Sequence, residues 1–222
     1  TFSSFSQNIL DEINNSKKNQ SLKDSIEKID VQEKVFSVVI NANGYNKSKL
    51  FSELNKWVSL NYNSANDVIQ MSDKEVGTMI VKGLNTISFK NPRRLTYPKI
   101  KFFPTISVLL LSHTLEINVR ENKFRLVYTI NSIEESEIKN VLNINPYTFE
   151  NISFKGASEK SLLLYNNYWE EKGKGMGKKK REKFLSLSEP TFIEVNTNLN
   201  LYFIYKFSSI INLLKESKKD DW

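Results

Sequence analysis

The chain has 222 residues, of which 39% are hydrophobic and 26% charged; that is a globular balance, long enough for one large or two small domains and for a core without disulfides or metals. It has no cysteine and one histidine, His113, which excludes thiolate catalysis, disulfide staples, cysteine-ligated centres and a histidine-rich metal site from one chain. The formal charge of +7 is local: residues 172–183 (KGKGMGKKKREK) hold seven of the 32 basic residues and one of the 25 acids, leaving the rest of the chain at +1.

Residues 1–34 read as a lead-in. Phe2, Phe5, Ile9 and Ile13 recur at helical spacing, and a loosely ordered stretch rich in Lys, Asn and Ser follows. The β-branched run VFSVVIN at 35–41 predicts a strand buried on both faces or interior to a sheet, ended by the Asn43-Gly44 turn signal. A helix follows, with Leu50, Phe51, Leu54, Trp57 and Val58 on one face. Asn46 or Ser48 can cap its start, and the polar run 61–66 ends it. Trp57→Ala is expected to be the most damaging change in this segment. Residues 67–72 and 78–84 form a short hairpin around Asp73-Lys74-Glu75-Val76-Gly77. Residues 90–104, with three prolines and five basic residues, form a loop or sheet edge.

The stretch 105–119 is the strongest strand signal, with Leu109, Leu111, His113, Leu115, Ile117 and Val119 in one phase. Arg120-Glu121-Asn122 turns the chain into a return strand at 123–130, making a long hairpin. The pattern weakens over 131–190, read as an insertion whose apolar pieces 138–142 and 162–169 suit short helices and whose Gly/Lys tract is mobile. A final helix is predicted over 196–218, with Phe203, Phe207, Ile210, Ile211 and Leu214 buried. The apolar-rich run 199–214 is too short and polar to span a bilayer, so no transmembrane segment is expected. Because the sequence starts at Thr1, any signal peptide is expected to be already removed. Consecutive strands with short links predict an α+β fold, a single domain over 35–222 with an antiparallel sheet and helices packed on one face.

The helix carrying Phe51 and Trp57, the stretch NSANDVIQMSDKEVGTMIVKG and the strand KFRLVYTI resemble a bacterial domain family of unknown function with a TBP-like fold. The resemblance covers residues 35–130. It implies a curved antiparallel sheet carrying helices and a secreted, periplasmic or envelope-associated location. It supplies no catalytic or binding residues, and a fold shared with a DNA-binding protein does not imply DNA binding.

Each candidate site has an ordinary alternative. His113 is the one general-base candidate with a near-neutral pKa, yet its strand phase is apolar, which suits a structural histidine. Lys172, Lys174, Lys178, Lys179, Lys180, Arg181 and Lys183 could contact a polyanion, or be a solvated face. Arg93 and Arg94, with Tyr97, Lys99, Lys101, Phe102 and Phe103, interleave cations with aromatics as single-strand nucleic-acid platforms do. The same loop fits a sheet edge with rings inward and cations outward. Acid pairs stand at Asp73/Glu75, Glu134/Glu135/Glu137, Glu170/Glu171 and Asp220/Asp221, in predicted turns, loops or the terminus. No calcium loop, P-loop, nucleophile elbow or zincin motif is present, and no cofactor or metal is expected. The expectation is a non-catalytic interaction module of the bacterial cell envelope, with an unidentified envelope protein or glycan as partner. The alternatives are a polyanion or nucleic-acid binder using the basic tract and an enzyme of unrecognised type.

Overall fold

The computed structural model describes residues 26–32, 34–62, 64–135 and 157–219. The predicted N-terminal helix, the apolar piece at 138–142, Glu137 and the Asp220/Asp221 pair lie outside them.

Six strands form one antiparallel sheet in the order β1-β2-β6-β5-β4-β3. They are β1 Ile26–Val31, β2 Val35–Asn41, β3 Ile69–Asp73, β4 Thr78–Lys90, β5 Ile106–Arg120 and β6 Lys123–Glu135. The helices are α1 Lys47–Asn61, α2 Ala65–Val68, α3 Pro92–Thr96, α4 Glu159–Lys172 and α5 Lys178–Lys219. The fold is the predicted α+β arrangement, a curved antiparallel sheet with helices over one face and a long C-terminal helix.

Strand alternation decides which face is covered. On β5, Leu109, Leu111, His113, Leu115, Ile117 and Val119 are buried, while Val108, Leu110, Ser112, Thr114, Glu116 and Asn118 are half-buried on the other face. β2 is interior, as predicted, but only Phe36, Val38 and Ile40 are fully buried; Val35, Ser37, Val39 and Asn41 are half-buried. On β6 the buried set is Phe124, Leu126, Tyr128 and Ile130, then Ile133 and Glu135. The phase changes because the register slips where Ser112 pairs with Ser132 but His113 with Ile130. Asn131 is the extra residue of this β-bulge.

Helix α1 starts where Asn46 Oδ1 accepts from Lys49 N–H at 2.8 Å, and buries the predicted Leu50, Phe51, Leu54, Trp57 and Val58. Burying Leu54 and Trp57 stabilises the fold by about 2–3 kcal/mol each. The C-terminal half of α5 completes the cover. Phe36 stacks on Phe203 and Phe207 with centroids 5.7 and 5.1 Å apart, Trp57 Nε1 donates to Ser209 Oγ at 2.9 Å, and the Tyr45 hydroxyl donates to the Leu214 carbonyl.

Four elements differ from the sequence reading. Strand β1 occupies part of the expected loose lead-in; its register shift between Ile26 and Lys28 hides the alternation. The loop at 90–104 contains α3, capped by Asn91, whose side chain accepts from Arg93 and Arg94 N–H, with Pro92 at the helix start. The last helix begins at Lys178 rather than near Asn196 and runs through Pro190. Its apolar stripe continues upstream through Phe184, Phe192, Val195 and Leu199, and Pro190 removes one backbone donor without breaking it. The Gly/Lys tract is a structured link. Gly173 caps α4, Gly177 C=O accepts from Lys180 and Arg181 N–H, and Tyr97 OH donates to Met176 Sδ at 3.0 Å. The link closes a helical hairpin in which Tyr165 stacks on Phe192 at 4.5 Å and Trp169 meets Phe184 at 4.6 Å.

Candidate functional site

His113 is fully buried at the centre of a polar network. Its Nε2 lies 2.9 Å from Tyr62 Oη, and its Nδ1 lies 3.2 Å from Asn85 Nδ2 and 3.5 Å from the Leu111 carbonyl oxygen. Asn85 also donates to Tyr128 Oη at 2.5 Å, and the His113 and Tyr128 rings stack 4.4 Å apart. Gly83 makes room: a Cβ there would stand 2.6 Å from the Tyr62 ring and 2.7 Å from the His113 ring. Burial raises the Tyr62, Tyr128 and Tyr202 hydroxyls above the usual tyrosine range and lowers the Lys206 ammonium. Lys206 donates to Asn61 Oδ1 at 3.0 Å and lies over the Trp57 and Tyr202 rings.

Desolvation lowers the His113 pKa to about 4, so the imidazole is neutral at pH 7. The ordinary histidine value of about 6.5 describes the unfolded chain. Between these values the unfolded state binds a proton that the folded state refuses, so stability falls with pH from about 6.5 and levels off below about 4. The expected loss between pH 7 and pH 4.5 is on the order of 2–3 kcal/mol beyond that of His113→Gln, read by urea unfolding at both pH values. Parallel pH dependences for the two proteins would remove His113 as the cause.

The cations singled out in the sequence do not assemble into one site. Arg93 is buried beside Glu135, Nη1 to Oε1 3.5 Å, with its guanidinium 5.0 Å from the Trp169 ring. It is therefore no surface contact, and in this loop the expected arrangement is partly inverted, since Phe102 is exposed. Arg94 donates to the Ile100 carbonyl at 2.7 Å. Lys172, Lys174, Lys178, Lys179, Lys180 and Lys183 are exposed along the end of α4, the link and the start of α5, and Arg181 is half-buried. Of the acid pairs, Asp73 Oδ1 accepts from Val76 N–H within the β3–β4 turn.

A cleft stands elsewhere, where the β5–β6 hairpin meets the start of α1. It encloses about 620 Å³ and is lined by Glu27, Lys47, Asn118, Arg120, Glu121, Lys123 and Arg125, among others. Its floor is the sheet face that carries no helix among the described residues. Arg120 pairs across the strands with Lys123, so these like charges stand directly opposite, a destabilising arrangement on its own, while Arg125 stands opposite Asn118. Glu27 meets Lys123 at 3.4 Å, and Glu116 lies 3.9 Å from Arg125. Glu121 is turned away to accept from Lys47 N–H at 3.2 Å, filling the helix N-terminus. Lys47 Nζ donates to the Glu75 carbonyl at 2.5 Å. Asn122, at φ 59, makes the tight hairpin turn that sets Arg120 beside Lys123. Sequence reasoning missed this group, although Arg120, Lys123 and Arg125, set among apolar residues around the two-residue turn Glu121-Asn122, could have marked it.

Among the described residues, an antiparallel sheet with helices over one face and a partly charged opposite face that carries no helix is the arrangement of a TBP-like α+β domain. Residues 36–135 match the family model described as "Domain of unknown function (DUF4468) with TBP-like fold", over nearly the stretch 35–130 that carried the resemblance. The chain is also similar to a solved DUF4468 family protein from Bacteroides ovatus ATCC 8483, with 12% identity, 82% of this chain and 90% of that chain covered, and a TM-score of 0.42. It is similar as well to a solved TBP-like protein from Parabacteroides distasonis ATCC 8503, with 13% identity, 79% and 92% covered, and a TM-score of 0.41. No curated protein matches the chain.

Proposed function

We propose that this domain is a non-catalytic binding module of the bacterial cell envelope that receives an anionic group of an envelope glycan or protein in the hairpin-end cleft. The observation that carries this reading is the cleft itself: Lys47, Arg120, Lys123 and Arg125 line it with Glu27 and Glu121, Glu121 is taken up at the start of α1, and the Arg120/Lys123 cross-strand cation pair is relieved by a bound anion. The non-catalytic part is supported by the burial of His113, the one histidine of the chain. The described residues of the uncovered face between β2 and β5 are aliphatic, polar and charged, unlike a minor-groove surface with inserted phenylalanines. The envelope location rests on the family resemblance. No helix among the described residues is long and apolar enough to cross a membrane.

The test is titration of the full chain with an acidic oligosaccharide, oligogalacturonate, followed by backbone amide shifts. Shifts should centre on residues 118–125, weaken with salt, and require roughly tenfold more ligand in Arg120→Ala/Arg125→Ala. Binding unchanged in that variant, or shifts centred on residues 172–183, would move the site to the basic tract. Hydrolysis of the probe would overturn the non-catalytic reading.

A further inference from the structure

The outer edge of β4 carries a separate surface. Just beyond the two ends of this strand, Val119 N–H donates to the Gly77 carbonyl at 2.7 Å and Asn91 N–H donates to the Thr105 carbonyl at 3.0 Å. The register between them runs unbroken from Thr78↔Asn118 to Lys90↔Ile106. In an antiparallel ladder a residue sends its N–H and C=O to the same side, and the next residue sends them to the other. The odd-numbered residues of β4 therefore bond to β5, and the even-numbered ones face away from it. Thr78 and Ile80 meet β3 on that side, but the pairing ends at Ile69↔Val81. Lys82 flanks the last β3 bridge; beyond it Leu84, Thr86, Ser88 and Lys90 direct their backbone N–H and C=O outward, and no strand among the described residues pairs with them there. All five are exposed, and Leu84 is 60% exposed although apolar.

We infer that this edge accepts an extended acidic segment of a partner protein as a seventh strand. Main-chain hydrogen bonds supply the affinity of such strand addition, and alternate side chains supply its specificity. Lys82 and Lys90 stand at the two ends of the open edge, about 26 Å apart at strand rise. They match carboxylates eight residues apart, with an apolar residue beside Leu84 and hydroxyl or β-branched residues beside Thr86 and Ser88. The same lysines disfavour a second copy of this chain. Self-pairing centred on Thr86 sets Lys82 of each copy opposite Lys90 of the other, a like-charge contact made twice.

The experiment uses the full chain and a capped nine-residue peptide with Glu first and last, Thr third and fifth, Val seventh and Ser between. Amide shifts and slowed exchange are expected at Lys82, Leu84, Thr86, Ser88 and Lys90, with roughly tenfold weaker binding when the Glu residues are replaced by Lys. Thr86→Pro deletes an outward N–H without touching the β5 ladder and should abolish binding. Lys82→Glu/Lys90→Glu should reverse the preference to the Lys peptide, independently of any difficulty in folding the proline variant. No binding at millimolar peptide, shifts confined to the Arg120–Arg125 cleft, or charge reversal without effect would overturn the inference. Concentration-dependent self-association through β4 would overturn it in favour of a second copy. Because the cleft variants leave β4 intact, failure here is distinct from failure of the anion site.

Discussion

Trp57→Ala is expected to lower the unfolding free energy by about 3–5 kcal/mol, the range for removing a large buried aromatic side chain. Trp57 is 4% exposed. Its ring meets Tyr62 edge-on at 6.5 Å, and its Nε1 donates to Ser209 on α5. The substitution therefore opens a cavity between α1, α5 and the sheet and removes the bond that ties the two helices. Urea unfolding should show a lower midpoint with little change in slope. Trp57→Phe keeps most of the volume but not the donor, and should lose about 1 kcal/mol. A loss below about 1 kcal/mol for the alanine variant would mean that the packing around Trp57 contributes little.

Glu135→Ala is expected to cost a similar amount, about 3–5 kcal/mol, for a different reason. The Arg93 and Glu135 side chains are only 7% and 3% exposed, and truncating Glu135 leaves a buried guanidinium without its carboxylate. Arg93 Nη2 already lacks a hydrogen-bond partner, so the Trp169 ring is the main group left to offset the charge. Arg93→Met/Glu135→Leu should recover most of the loss, since a buried ion pair replaced by apolar groups of similar volume is close to neutral. If the double variant is as unstable as Glu135→Ala, the damage is one of shape rather than charge.

These two residues mark the border between what could be read and what could not. Trp57 was legible because helix α1 keeps one period from Leu50 to Val58 and has a clear cap in Asn46. The β5 phase was legible too, down to the placement of His113 among leucines. Glu135 was not. The bulge at Asn131 shifts the alternation by one residue, so β6 after Ile130 looks like the start of irregular chain while Ile133 and Glu135 continue the covered face. Arg93 was assigned to solvent because a cation in a proline-rich loop is normally wet. Only the meeting of α3, α4 and β6 shows that it is enclosed. The cleft escaped for a related reason. Its cations come from 47, 120, 123 and 125, and proximity in space between 47 and 120 depends on how α1 docks against the hairpin turn. Pro190 is the converse case, a residue that ordinarily ends a helix but here sits on the exposed side of one whose buried stripe continues past it.

The cover of the sheet has an order in time as well as in space. A nascent chain holds all six strands and α1 once residue 135 has been made, yet Phe36 and Tyr128 still wait for Phe203 and Phe207, and Tyr45 for Leu214. The family-matched segment is thus a sheet whose apolar face is covered only in part, by α1, until the C-terminal half of α5 leaves the ribosome. Partly made copies carry a sticky surface through the synthesis of some seventy further residues, at ordinary rates several seconds. That interval, rather than the finished molecule, is where this chain is most exposed to aggregation and to chaperones.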